Sequence, residues 1–273
     1  MRGSGEVAWV EPEDLALDGS TTAPAIEFVD VHKRFGDNQV LDGLSMEIPE
    51  GRISMLMGPS GTGKSVCINH MVGLTFPDSG NILIEGESVP NMTLPRLREM
   101  RRQKFGVLFQ DGALFSSMSL FDNVAFPLRQ MTDMTPARIS EIVMRRLSEV
   151  GLADAADSHP SELSGGMRKR AGFARALVMD PHIVLFDEPD SGLDPVRCAL
   201  LCELIQEVHE HSGGTYVVVT HDMLSARRIG EYLCILWRGK VVEQGSAEQV
   251  FNSENEFVRQ FLAGDAIGPL GMQ

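Results

Sequence analysis

Four short apolar runs stand out from the mixed pattern of the chain, and polar residues follow each of them. The runs are residues 53–57, 105–109, 183–186 and 216–219. Near-continuous apolar runs of this length predict strands that are covered on both faces, as in a parallel sheet. Because ligands bind outside the carboxyl ends of parallel strands, we expect the polar residues that follow the four runs to share one edge of the sheet.

The first run leads into a glycine-rich loop and then into a helix-compatible stretch. The loop consists of Gly58, Pro59, Ser60, Gly61, Thr62, Gly63, Lys64 and Ser65. Glycines let successive backbone amides surround a polyphosphate, Lys64 can reach its terminal oxygens, and the Ser65 hydroxyl can coordinate Mg²⁺. The loop therefore predicts binding of a nucleoside triphosphate. The alternative is a chance glycine-rich turn.

The other three runs end in side chains that suit phosphoryl transfer: Gln110, Asp187 with Glu188, and His221. Asp187 fits the carboxylate on the magnesium side, and Glu188 fits the general base that polarises water. His221 is interpreted as a donor to the terminal phosphate, and Gln110 can contact both metal and water. The alternatives are a solvated strand end, an ordinary loop histidine and a surface amide.

A second glycine motif predicts the start of a helix. Ser164, Gly165 and Gly166 lie within Leu163–Met167 and precede three basic residues, 168–170. Ser164 can cap the helix, and the glycines leave backbone amides open to an anion. Three cations in a first turn oppose the helix dipole unless a ligand or partner brings negative charge. The alternative is a basic surface patch.

These motifs, together with residues 191–194, stand in an order that resembles the nucleotide-binding subunit of ABC transporters over about residues 25–273. The resemblance implies an α/β fold, with a P-loop NTPase (RecA-like) core of mainly parallel sheet, an antiparallel β flank and an inserted helical subdomain. It implies an ATPase that uses Mg²⁺ and works as a head-to-tail homodimer. In that dimer Ser164 and Gly166 of one copy contact the ATP of the other, and Asp194 links the two sites.

The same resemblance assigns two more residues to the nucleotide. Phe35, ahead of Gly36, stands where such proteins stack an aromatic ring on adenine, and Val66 continues the phosphate loop. For Phe35 the alternative is an aromatic side chain that faces the core of a strand.

Stretches outside the shared motifs resemble the ATPases of Mce/Mla-type lipid transport systems, and most of all the shared ATPase of mycobacterial mammalian-cell-entry systems. Met167 stands where most relatives carry Gln. The resemblance implies an importer of lipids or sterols, with membrane permease subunits and substrate-binding Mce-type proteins as partners. The stretches are residues 109–115, 121–129, 162–180 and 258–269, with 63–66, 190–194 and 267–272 carrying the mycobacterial likeness.

Composition limits the partners and the location. The chain has 273 residues, 43% of them hydrophobic, and a net charge of −14, which argues against nucleic acid as the main partner. No stretch approaches the roughly 18 apolar residues of a spanning helix, and the start lacks a secretion signal. We expect a protein on the cytoplasmic side of the inner membrane, attached peripherally through a permease. An ABC-type ATPase of iron–sulfur assembly, or one acting on ribosomes or nucleic acid, is the alternative.

The chain is expected to divide into a mobile N-terminal arm, residues 1–24, an ABC ATPase domain, 25–250, and a C-terminal helix and tail, 251–273. A helical subdomain of about 111–177 is inserted in the ATPase core. Thr135 and Pro136 predict the start of one of its helices, which ends before Gly151. Its aromatic part, residues 113–128, is either a groove for a permease helix or the core of the lobe itself.

The four cysteines give no metal or disulfide signal. Cys67, Cys198, Cys202 and Cys234 form no Cys-x-x-Cys pair. Cys198 and Cys202 are one helical turn apart, and we expect both to be buried small side chains.

Overall fold

The computed structural model of the chain describes residues 23–265 and 267–269. The described residues form two compact units, one up to Met92 and from Thr220 onward, the other Thr93–Val219. The predicted mobile arm lies outside the described residues except for 23 and 24, and so do residues 270–273 of the predicted tail.

The first unit opens with an antiparallel sheet in the order β2-β1-β4-β5. Ile26 of β1 pairs with Ile48 on one side and with Ile84 on the other, and all three side chains are buried. This is the antiparallel flank that the sequence predicts. The elements are β1 (Ile26–Phe35), β2 (Asn38–Ile48), β3 (Ile53–Met57), α1 (Lys64–Met71), β4 (Ser79–Ile84) and β5 (Glu87–Ser88).

The second unit contains three parallel strands in the order β8-β7-β6. Its core includes an aromatic cluster, in which the Phe186 ring lies 5.1 Å from that of Phe173 and 5.6 Å from that of Tyr216. The elements are α2 (Leu94–Lys104), β6 (Phe105–Leu108), α3 (Leu120–Met131), α4 (Pro136–Glu149), α5 (Gly165–Leu177), β7 (Ile183–Asp187), α6 (Pro195–Ser212) and β8 (Thr215–Thr220).

Helices α3, α4 and α5 pack against one another in the second unit. The predicted helix after Thr135 is confirmed, because Thr135 caps α4 by accepting a hydrogen bond from the Arg138 amide at 3.4 Å. Its apolar face is buried, as the spacing of Ile139, Ile142, Val143 and Leu147 indicates.

The chain then returns to the first unit, where β9 pairs in parallel with β3 and antiparallel with β10. Strands β9 and β10 form a hairpin, and two helices, α8 and α9, follow it. Among the described residues, no helix has the length and apolar character needed to cross a membrane. The elements are α7 (Met223–Ile229), β9 (Tyr232–Trp237), β10 (Lys240–Ser246), α8 (Ala247–Phe251) and α9 (Glu256–Ala263).

The cysteines are all free thiols. Cys67, Cys202 and Cys234 are buried, and burial raises the pKa of Cys67 to about 12 and that of Cys234 further still. The expectation for Cys198 is wrong, since its side chain is only partly buried. Cys198 lies in the first turn of α6, between exposed Arg197 and partly buried Ala199, so that turn is not covered.

Candidate functional site

The phosphate loop packs so closely against neighbouring residues that two of its positions must be glycine. Gly58 and Gly63 have φ angles of 149° and 100°. A Cβ atom at Gly58 would lie 2.3 Å from the Leu236 carbonyl oxygen, and one at Gly63 would lie 2.9 Å from Leu41 Cδ2. Because only glycine tolerates these angles and contacts, the loop can hold its amides around an anion.

Lys64 begins α1 and is buried within the loop. Its Nζ donates to the carbonyl oxygens of Gly58 at 2.8 Å and of Pro59 at 2.9 Å, and the Thr62 hydroxyl donates to Pro59 at 2.9 Å. Ser65 is exposed in the same first turn, at the helix end that carries partial positive charge. The loop thus places an ammonium, a hydroxyl and a helix N-terminus side by side, which suits a phosphate group.

Phe35 ends β1 with 49% of its surface exposed, so it does not face the core. Lys33 Nζ lies 5.4 Å from the centroid of its ring. Asp78 holds this segment by accepting hydrogen bonds from Lys33 Nζ at 2.8 Å and from the Arg34 amide at 2.7 Å. The Lys33 hydrogen bond is the main reason that the pKa of Asp78 lies below its ordinary value. The sequence carried no signal for Asp78, which is far from Lys33 along the chain.

The strands of the second unit end together, as predicted. Leu108 is paired with Phe186, and Asp187 is paired with Val219, so the residues after β6 and β7 lie at the same edge. Gln110, two residues beyond β6, donates from Nε2 to the Ser191 hydroxyl at 3.1 Å. His221 directly follows β8 and is exposed. It belongs to the first unit.

Glu188 has an unusual backbone, with a φ angle of 47°. A residue other than glycine rarely adopts this left-handed conformation, which persists when the surroundings hold it. The Glu188 amide donates to the Val219 carbonyl at 2.9 Å, and its own carbonyl accepts from the Ser191 amide at 3.2 Å. The strand end therefore fixes the position from which the carboxylate projects.

Ser164 caps α5 as predicted, accepting a hydrogen bond from the Met167 amide at 3.3 Å. A groove of about 520 Å³ includes Ser164, Gly166 and Leu193 in its wall, so the signature lies beside the segment that leads to Asp194. Asp194 caps α6, its Oδ1 accepting from the amides of Val196 and Arg197 at 3.1 and 3.0 Å. This capping role of Asp194 was not predicted from the sequence.

The three basic residues after the signature are not a surface patch. The Arg168 guanidinium donates to the Leu163 carbonyl at 2.6 Å, and that of Arg170 donates to the Val150 carbonyl at 3.1 Å. Lys169 is buried, and its Nζ donates to the carbonyls of Pro189 and Ser191. Carbonyl oxygens thus accept hydrogen bonds from all three side chains near the helix N-terminus. Spacing alone gave no signal that Lys169 points inward.

The side chains predicted to bind Mg²⁺ carry oxygen atoms of a suitable kind. Ser65, Gln110 and Asp187 offer hydroxyl, amide and carboxylate oxygens, the ligand types that Mg²⁺ prefers. No group of three or more His, Cys, Asp or Glu that could hold a metal occurs within the described part of the chain.

Comparison with known proteins decides the family. The model of the ABC transporter family matches residues 41–191, which include the phosphate loop, Gln110, the signature and Glu188. The chain belongs to the ABC transporter family. It is an ATP-binding subunit of an ABC transporter and an ABC ATPase. The predicted family and activity are confirmed.

Two relatives match this ABC ATPase over most of its length. The probable ribonucleotide transport ATP-binding protein mkl of Mycobacterium leprae is 48% identical over 94% of this chain and 75% of its own. The intermembrane phospholipid transport system ATP-binding protein MlaF of Escherichia coli K12 is 41% identical over 92% of this chain and 93% of its own.

Solved structures confirm the predicted fold class. The ATP-binding cassette MJ0796, a dimer in a post-hydrolysis state with ADP and Pi, is 30% identical, with a TM-score of 0.74 over 81% of this chain and 98% of that one. The cbiO1 protein of Clostridium perfringens, part of the ABC transporter complex cbiONQ, is 27% identical, with a TM-score of 0.78 over 85% of this chain and 92% of that one.

Proposed function

We propose that this ABC ATPase powers an Mce-type importer of lipids or sterols. The likeness to MlaF carries the proposal, because 41% identity over 92% of this chain extends well beyond the motifs that all ABC ATPases share. The sequence resemblance to Mla-type ATPases within residues 109–129 and 258–269 also supports the proposal.

We propose that each chain binds one Mg-ATP through its phosphate loop. Lys64 and the loop amides bind the phosphates, Val66 continues that contact, and Phe35 stacks on adenine. Ser65, Gln110 and Asp187 bind Mg²⁺, Asp187 directly or through water. Bound Mg²⁺ supplies neutralisation of phosphate charge. The exposed ring of Phe35 and the glycine geometry of the loop support this assignment.

Glu188 is the proposed general base, and His221 and Gln110 assist it. The Glu188 carboxylate accepts a proton from the attacking water, His221 donates to the terminal phosphate, and Gln110 orients the water. The left-handed backbone of Glu188, which its surroundings hold in place, supports the role of general base, because a base must keep its position as the proton moves.

The functional form is proposed to be a homodimer that encloses two ATP molecules. Ser164, Gly165 and Gly166 of one copy contact the ATP of the other, and Asp194 contributes to the interface. Support comes from the dimeric MJ0796 structure and from the groove that the signature shares with Leu193, directly before Asp194.

Permease subunits and substrate-binding Mce-type proteins complete the proposed assembly at the cytoplasmic face of the inner membrane. The aromatic segment 113–128 is partly core and partly surface: Leu120 is buried, whereas Phe115 is 44% exposed. Phe121 lines a pocket of about 340 Å³ with Arg129, Met134 and Ile139. We propose this pocket as the place where a permease helix docks.

Replacing Phe121 by Asp should lower recruitment to permease-containing membranes at least ~10-fold, because a carboxylate in a mainly apolar docking pocket costs about 2 kcal/mol or more. Binding of ATP by the soluble variant should remain unchanged. The measurement is co-sedimentation of the purified chain with membranes that contain the permease.

Leu94→Asp is the matched control, since Leu94 is 67% exposed in α2 and lies outside the pocket. This variant should bind the membranes like the unchanged chain. Equal recruitment of the Phe121 and Leu94 variants would reject the docking pocket.

The name of the mycobacterial relative gives a second candidate function. The Mycobacterium leprae protein is described as a probable ribonucleotide transport ATP-binding protein, and it is 48% identical to this chain. Import of ribonucleotides is therefore the competing proposal for the transported molecule.

Reconstitution separates the two. The chain, purified with its membrane partners, is placed in phosphatidylcholine/phosphatidylglycerol proteoliposomes and supplied with fluorescent phospholipid, labelled cholesterol or a labelled ribonucleotide. We expect lipid or sterol transfer that requires Mg-ATP. Transfer of the ribonucleotide alone would reject the lipid proposal. Isolation of the chain with an iron–sulfur scaffold protein or with RNA, and without a permease, would reject both transport proposals.

A further inference from the structure

We propose that Lys169 is a positioning residue that ties helix α5, which carries the signature, to the loop that carries Glu188 in the same protomer. Contact of Ser164 with the partner's ATP would then set the position of the general base that acts on the protomer's own ATP. This inference rests on the enclosed-ATP dimer of the proposed function.

Lys169 is a buried cation with a specific attachment. The residue is only 4% exposed, and its Nζ donates to the Pro189 carbonyl at 2.7 Å and to the Ser191 carbonyl. Burial lowers the pKa of Lys169, while the nearby carboxylates of Asp190 and Asp111 act in the opposite direction. A buried ammonium is tolerated when it is well hydrogen-bonded, so these two contacts hold the loop firmly to α5.

The two carbonyls that Lys169 holds lie one and three residues after Glu188, whose φ angle of 47° is in the left-handed region. A conformation of this kind persists only where neighbouring groups hold it. Release of the Pro189 and Ser191 carbonyls would let the Glu188 backbone relax and move its carboxylate. Lys169 therefore acts on the base through the backbone, without touching the nucleotide.

Ser191 joins a third element to this attachment. Its carbonyl accepts from Lys169, and its hydroxyl accepts from Gln110 Nε2 at 3.1 Å. A shift of α5 would thus reach both Glu188 and Gln110 through one residue. These are the two second-unit groups proposed to act on the attacking water.

Helix α5 provides a short and stiff connection to the signature. Ser164 caps the helix, and Lys169 follows five residues later, a rise of about 7.5 Å at 1.5 Å per residue. Displacement of the helix N-terminus by a bound nucleotide would carry the Lys169 ammonium with it. Helix α5 thus links the contact between Ser164 and the partner's ATP to the hydrolysis of the protomer's own ATP. Coupling between two sites requires such a connection.

The test uses mixed dimers in which only one ATP can be hydrolysed. A protomer with Glu188→Gln is paired with one that carries Lys169→Met, so the surviving base shares its protomer with the altered lysine. In the second arrangement both substitutions lie in one protomer, and its partner is unchanged. In the first arrangement we expect kcat to fall roughly 10- to 100-fold, as for a catalytic group displaced by about 1 Å. In the second arrangement we expect kcat to equal that of a dimer of one Glu188→Gln protomer and one unchanged protomer. KM for ATP should stay within about twofold in both.

Two variants separate positioning from general support of the fold. Lys169→Arg keeps a cation with several donors and should recover most of kcat in the first arrangement. Arg170→Met removes the neighbouring cation of α5, which donates to the Val150 carbonyl and not to the Glu188 loop, and should show no dependence on arrangement. If Lys169→Met does not fold, Lys169→Gln takes its place, with a smaller loss and the same dependence on arrangement expected.

An equal loss in the two arrangements, or a loss confined to the second, would overturn the role of Lys169 and leave the dimer intact. Failure of Glu188→Gln chains to form an ATP-dependent dimer would instead overturn the dimer, and the coupling with it. The two failures are therefore distinguishable by size-exclusion chromatography with Mg-ATP before any rate is measured.

Discussion

Replacing Glu188 by Gln should lower ATP turnover by about 10²- to 10⁴-fold, the range that a general base contributes. The amide has nearly the same shape as the carboxylate but cannot accept the proton of the attacking water. Affinity for ATP should stay nearly intact, because the phosphate loop and Phe35 are unchanged. The variant should accumulate as an ATP-bound dimer, which size-exclusion chromatography with Mg-ATP detects while phosphate release measures the turnover.

Glu210→Gln is the matched control, since Glu210 is an exposed carboxylate on α6 in the same unit as Glu188 and lies outside the groove of the signature. Its turnover should equal that of the unchanged chain. Turnover of the Glu188 variant within about fivefold of the unchanged chain would reject Glu188 as the general base, because replacing a general base lowers turnover by far more.

Replacing Lys64 by Ala should abolish measurable nucleotide binding at micromolar ATP. Loss of one partner of a buried, hydrogen-bonded charge pair costs roughly 2–5 kcal/mol, equal to about 30- to several-thousand-fold in affinity. Isothermal titration with Mg-ATP measures the effect. The contacts of Lys64 with the carbonyls of Gly58 and Pro59 also disappear, so thermal unfolding must show that the variant is folded.

Lys104→Ala, at the end of α2, removes a lysine outside the phosphate loop and should bind ATP normally. Mixed dimers extend the test to the signature. Ser164→Ala in one protomer and Lys64→Ala in the other should leave one complete ATP site, whereas both changes in one protomer should leave none. Equal activity of the two mixtures would contradict a site shared between copies.

The local parts of the site could be predicted from the sequence because each depends on a few consecutive residues. Gly58 to Ser65 specify a backbone path, and Ser164 specifies a helix start, whatever surrounds them. The apolar runs also place Gln110 and Asp187 at one edge, because parallel strands in register end together.

The contacts that hold these parts in place could not be predicted. Asp78 meets Lys33 across 45 positions, and Lys169 meets Ser191 across 22. Such pairs depend on how the elements pack, and one sequence without relatives does not report packing. The sequence left a basic surface patch open as the alternative for residues 168–170, and only the fold shows that Lys169 points inward.

The uneven burial of the four thiols gives this ABC ATPase one native site for selective labelling. A maleimide reagent needs an accessible thiolate, which buried Cys67, Cys202 and Cys234 do not offer. Cys198 alone among them is partly accessible, and its Sγ lies 3.6 Å from the Asp190 carbonyl oxygen, in the loop that follows Glu188. A spin label attached there, without any engineered cysteine, would report the distance between two copies as ATP is bound and hydrolysed.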